Sequence, residues 1–224
     1  MVTLRESNMT VEVSKQGNTE VVQLELKDLP ELIDCALAAC QQDINDDPNR
    51  IFNEADFERL LANHLEHKLK GTNFSVHTQM KGYYRDRGKT KYDKPDIVLL
   101  KDEAKYDPIT EQFINKSDSV SIELKYLHEW SNQKKEDVKK DFEKKQHIDM
   151  GEEKTWLYVV VLMDVYDPEK NKFRKDSAKV TSIKKVDLKE IMRDAYGTTR
   201  KEGVYHRVLQ KSVSLPGKKK TKKK

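Results

Sequence analysis

Apolar and polar positions alternate along Thr10 to Val13 and Glu20 to Leu26, around Gln16-Gly17-Asn18. A period of two predicts a β-hairpin. The pattern then changes to helical spacing. Leu29, Leu32, Ile33, Ala36, Leu37 and Cys40 recur every three or four residues, which predicts a helix with one buried face. Asp28, with Glu31 three residues on, is its expected cap. This helix is expected to end near Asp43, before the Asn45-Asp46-Asp47-Pro48 loop.

A second helix is more sharply marked. Asn53 is its expected N-cap, and Asp56 stands at the third helical position. Phe52 and Phe57 are spaced to pack together as a hydrophobic staple. Phe57, Leu60, Leu61, Leu65 and Leu69 form the apolar stripe, and Gly71 ends it. Strands are expected over Phe74 to Tyr84, Tyr92 to Leu100 and Val120 to Leu127, the first two joined by a charged turn. Lys101 to Asp118, with Pro108, reads as a polar loop. Asn132 to Ile148 reads as a charged helix with a narrow seam at Val138 and Phe142, and Asp187 to Ala195 as a short one. Trp156 to Val165 is the most apolar run and is expected to be a central strand. The fold class implied is α/β, a mixed central sheet flanked by helices. Residues 1–50 read as an accessory hairpin and helix, 51–216 as the core, and 217–224 as a lysine-rich disordered tail.

Composition changes this picture in two places. Apolar residues make up 36% and charged residues 37%, and no apolar run approaches the ~20 residues needed to span a bilayer. No basic-then-apolar leader is visible at the N-terminus, so the expected setting is cytoplasmic, or nuclear in a eukaryote. Cys35 and Cys40 are expected to be reduced core thiols. The net charge is +4, but the last eight residues hold six lysines, so the remainder is −2. Any nucleic-acid site therefore has to come from a local patch rather than from overall charge.

The candidate chemistry lies in two of the expected strands. Asp96 follows Pro95 and opens the buried run Ile97 to Leu100. Twenty-seven residues after Asp96, Glu123-Leu124-Lys125 lies within the next strand. Side chains two apart on a strand share a face, so Glu123 and Lys125 point the same way. An acid on one strand with an acid and a lysine on another is suited to holding a divalent cation and a water. Taken singly, each motif has a plainer reading: a same-face ion pair on a solvated strand for Glu123 and Lys125, and a turn cap for Asp96. His64 and His67, three apart on a helix, lack a third zinc ligand at the right spacing and read as a surface pair. The α-helical lysines Lys134, Lys135, Lys139 and Lys140 interleave with acids as on a solvated face.

In combination, Pro95-Asp96, Glu123-Leu124-Lys125, the acid-bearing helix before them and the helix and buried strand after them resemble the PD-(D/E)XK nuclease superfamily. The resemblance covers roughly Phe52 to Val165 and points to no one subfamily. It implies a restriction-endonuclease-like fold and a magnesium-dependent hydrolase cutting DNA, more an endonuclease than an exonuclease, with manganese able to replace magnesium and homodimers common. It implies Asp96, Glu123 and the Leu124 carbonyl as metal ligands, and Lys125 as the residue that orients or deprotonates the attacking water. Glu54 is the best match for the family's helix acid, and Glu58 the next. Gln79, Lys81, Arg85 and Arg87 are candidates for phosphate contact by position. The alternative is a non-catalytic nucleic-acid-binding or assembly protein on the same scaffold.

Overall fold

The computed structural model describes residues 12–16, 19–80, 82–86, 89–101, 105–107, 112–114, 119–128, 131–148, 155–164, 166–167, 172–173 and 204–211. The expected helix at 187–195, Lys81, Arg87 and the tail at 217–224 lie outside them. In chain order the elements are β1 (Glu12–Gln16), β2 (Thr19–Gln23), α1 (Leu29–Asp46), α2 (Glu54–Leu69), β3 (Phe74–Thr78), β4 (Gly82–Asp86) and β5 (Lys89–Asp93). They continue with β6 (Ile97–Lys101), β7 (Lys105–Asp107), β8 (Gln112–Ile114), β9 (Ser119–Leu127), α3 (Asn132–Ile148), β10 (Thr155–Asp164), β11 (Tyr166–Asp167), β12 (Lys172–Phe173) and β13 (Val204–Lys211).

Five strands form a mixed sheet in the order β13-β10-β9-β6-β3. β13, β10 and β9 run parallel, and β6 and β3 are antiparallel to their neighbours. One face of the sheet packs on α1 and α2, through Ile97, Leu99, Ile122, Leu124, Tyr158 and Val160 against Ile33, Leu37, Phe57 and Leu61. α3 packs on the other face, where its seam residues Val138 and Phe142 are fully buried. Because both faces are covered, β10 can be apolar almost throughout. A bidentate pair between Arg207 and Asp34, at 2.7 and 2.5 Å, fastens α1 to β13.

Several local expectations are corrected. The long first strand breaks at Gln79, whose backbone is left-handed (φ +54°), a conformation uncommon for a residue with a Cβ. Its N–H bonds the Asp96 carbonyl at 3.0 Å. The chain beyond it forms a separate hairpin, β4 with β5, outside the main sheet. The expected loop at 101–118 contains a small hairpin, β7 with β8. Asp28 does not cap α1; its carboxylate turns back to the Glu25 N–H at 2.9 Å and closes a 3-10 turn. Cys35 is exposed rather than core, while Cys40 is buried, and burial, helped by Asp43, pushes the Cys40 thiol pKa up to about 12. The staple does not form: Phe57 enters the core and Phe52 is 59% exposed. Asn53 does cap α2, accepting the Asp56 N–H at 2.9 Å.

Candidate active site

The site forms where two neighbouring strands differ in length. β9 has nine residues and β6 has five. β6 begins opposite Ile122, so the last turns of β9 run on without that neighbour. Amides on that edge need acceptors, because a buried N–H left unbonded is costly. Two carboxylates supply them. Asp96 Oδ2 accepts the Leu124 N–H at 2.6 Å, and Glu54 Oε2 accepts the Tyr126 N–H at 3.1 Å. The notch thus draws one acid from the loop before β6 and another from the first turn of α2.

The ladder between β6 and β9 ends at Ile97 and Ile122, and Asp96, just before it, reaches across to Leu124, the neighbour of Glu123. Lys125, two residues beyond Glu123, shares the face of β9 that Glu123 occupies. Glu123 is only 1% exposed, so the solvated-strand reading of Glu123 and Lys125 does not hold. Lys125 pairs instead with Asp141 of α3 at 3.0 Å, and its ammonium donates to the Leu124 carbonyl at 3.0 Å.

Electrostatics tie these groups into one cluster. Burial works against the Lys125 charge, but Asp141, Glu54 and Asp96 outweigh it and hold the ammonium pKa above its usual value. Lys125 is therefore a firmly charged cation here, better suited to steadying negative charge than to accepting a proton. Glu54 is shifted upward, first by burial and further by Asp96 and Asp141, against the pull of Lys125 and the Tyr126 N–H. Glu58 is also raised, by burial first, then by Asp96 and Glu54, while the Gln79 amide pulls it down. That amide donates to Glu58 Oε2 at 2.6 Å.

No family model, curated protein or solved structure matches the chain.

Of the residues singled out in the sequence, Asp96, Leu124, Lys125 and Glu54 come together in the notch, and Glu123 is buried on β9 between Ile122 and Leu124. Gln79 sits at its rim through Glu58 and the Asp96 carbonyl. Arg85 lies on β4, opposite Thr90. His64 bonds Asp43 at 3.1 Å, which ties α2 to α1. Asp141 was not singled out. Its signal was its place beside Phe142 and three residues after Val138, at the edge of the buried seam of α3. A polar cluster beyond the notch was missed as well. Asp164 and Lys211, 2% and 1% exposed, meet at 3.7 Å, with Tyr126 and His128 bonded to Asp164 at 2.5 and 3.1 Å.

Among the described residues, no group of three or more His, Cys, Asp or Glu side chains is arranged to hold a metal ion. The carboxylates of Asp96 and Glu123 and the Leu124 carbonyl are hard oxygen donors. That set suits magnesium, which is bound through one or two carboxylates and retains several waters. Glu123 is almost fully buried, and a bound cation would offset the cost of keeping a carboxylate charged there.

Proposed function

We propose that the chain is a magnesium-dependent phosphodiesterase acting on nucleic acid, most simply a DNA endonuclease on a restriction-endonuclease-like scaffold. The observation that carries this reading is that Asp96 bonds the Leu124 N–H, between Glu123 and Lys125, while Glu54 bonds the Tyr126 N–H just beyond. Asp96, Glu123 and the Leu124 carbonyl would hold the cation, and manganese would replace magnesium. Such a cation would supply positive charge to the scissile phosphate and make a nearby water more acidic.

The chain's own residues divide the remaining work. Lys125, kept charged by Asp141, would stabilise the charge that grows on the phosphate oxygens. A preorganised cation in a half-buried site acts more strongly there than in water. Glu54, with its pKa raised by burial, is a carboxylate of the notch that would accept a proton from the attacking water. Gln79 would set the rim through Glu58, and Arg85, with Lys81 and Arg87, would meet the phosphate backbone. Cutting both strands of a duplex would call for two copies of the site, as in a homodimer.

The second reading is a nucleic-acid-binding protein without catalysis. It is favoured by the bonds that Asp96 and Glu54 make to strand amides, because a purely structural role would account for both. The test is incubation with plasmid and with single-stranded DNA, in magnesium, manganese or EDTA, alongside Asp96→Ala and Lys125→Ala. Metal-dependent cutting abolished by both substitutions supports the hydrolase. A wild type that shifts DNA but never cuts it leaves the binding protein. Cutting that survives both substitutions places the chemistry elsewhere.

A further inference from the structure

Among the described residues, Phe52 is the single exposed large hydrophobic side chain. One exposed apolar residue is ordinary on a protein surface, but this one is held in place. Its N–H donates to Asp56 Oδ2 at 3.0 Å. The carbonyl just before it, on Ile51, accepts the Lys211 ammonium at 2.6 Å. The same ammonium lies 5.6 Å from the Phe52 ring centroid and 5.9 Å from that of Tyr126, within the range of a cation–π contact. Lys211 is itself fixed by Asp164 and by the Tyr126 hydroxyl at 3.3 Å. A buried cation thus lies against the Phe52 ring, and much of the ring's surface faces solvent.

This seat adjoins the notch. Phe52 stands two residues before Glu54, which bonds the amide directly after Lys125. His128, at the end of β9, sets its half-exposed ring edge-on to Tyr126 at 4.6 Å, adding a polar border rather than more apolar surface. A single ring is far too small for a protein interface, which takes about 800 Å² from each partner. It matches the face of one base, and a ring held by a cation loses little freedom on stacking.

We propose that Phe52 is a stacking platform for one unpaired nucleobase beside the phosphodiester bound in the notch, so that the substrate is single-stranded or locally opened nucleic acid. This rests on the phosphodiesterase reading and adds the class of substrate to it. Stacking on an aromatic side chain is tolerant of sequence, so the subsite selects for an available base and not for its identity.

The experiment measures binding of oligothymidylate, and of an abasic strand of equal length, in EDTA, with plasmid cutting in magnesium as a parallel assay. Thermal melting confirms that each variant is folded. Wild type should bind oligothymidylate more tightly than the abasic strand. Phe52→Ala should lose about tenfold on oligothymidylate and nothing on the abasic strand, and Phe52→Trp should restore the difference. An equal loss on both strands, or no loss on either, overturns the platform. If Phe52→Ala is indistinguishable from wild type while plasmid is still cut, the platform alone falls. If no nucleic acid is bound or cut by any form, both readings fall together.

Discussion

Asp96 Oδ2 accepts the main-chain N–H of Leu124 at 2.6 Å, so a candidate metal ligand also completes the hydrogen bonding of the strand that carries the other one. The two roles can be separated. Asp96→Asn keeps an acceptor for the amide but loses the charge, whereas Asp96→Ala loses both. The alanine variant should be less stable than the asparagine variant by about 1–3 kcal/mol, the cost of a buried amide without its partner. Both should be equally inactive in plasmid cutting. Denaturant unfolding beside the cutting assay checks this. An active asparagine variant would mean that the carboxylate serves only the strand.

The proposed metal site also predicts a response to cation without any substrate. Asp96 is tied to the Leu124 amide beside Glu123 only in the fold, so magnesium should stabilise the fold by binding it and not the unfolded chain. At a hundredfold excess over Kd the gain is about 2.7 kcal/mol, read as a rise in Tm. Glu123→Gln, which removes a proposed ligand, should gain nothing from magnesium. Equal shifts in wild type and Glu123→Gln would mean that the cation binds elsewhere.

Glu54 carries a prediction in pH. Burial is the main cause that raises its pKa in the fold. A group raised on folding contributes stability below its unfolded pKa of about 4.3, and loses that contribution as pH rises through the folded value. At neutral pH the ionised side chain is therefore a net burden. Glu54→Gln, which can still accept the Tyr126 N–H, should melt higher than wild type at pH 7. The advantage should disappear as pH falls below about 4. Activity should be lost, the usual exchange at a site that holds charge for function. A Glu54→Gln variant less stable than wild type at pH 7 would contradict the burden assigned to the charge.

Periodicity made α2, α3 and β10 legible, because each buries a stripe or a run whose spacing is local. The notch was partly legible for the same reason: Asp96 borders an apolar run, and Glu123 and Lys125 alternate within another. What escaped depended on contacts distant in sequence. The break at Gln79 follows from a bond to the Asp96 carbonyl, and no local rule puts a glutamine in the left-handed region. Asp141 looked like one more acid on a charged helix until packing of Val138 and Phe142 set it against Lys125. Phe52 had the spacing of a staple, yet Phe57 was claimed by the core. Lys211 and Asp164 belong to different strands and become partners only because β13 lies beside β10.

That last pair gives the sharpest test of the fold itself. Lys211 and Asp164 are almost fully buried, and Lys211 also holds the Ile51 carbonyl at 2.6 Å at the entrance to α2. Removing one member of a buried pair leaves the other's charge uncompensated, which costs about 3–5 kcal/mol. Lys211→Met should lose about that much in denaturant unfolding. Replacing both, as Lys211→Met with Asp164→Asn, should recover part of the loss, because the stranded charge is gone. Asp164 is also bonded to Tyr126 and His128, so the asparagine keeps an acceptor for them. A double variant as unstable as the sum of the two single variants would mean that the groups act independently. The reach of Lys211 to the Ile51 carbonyl and the Tyr126 hydroxyl would then need another cause.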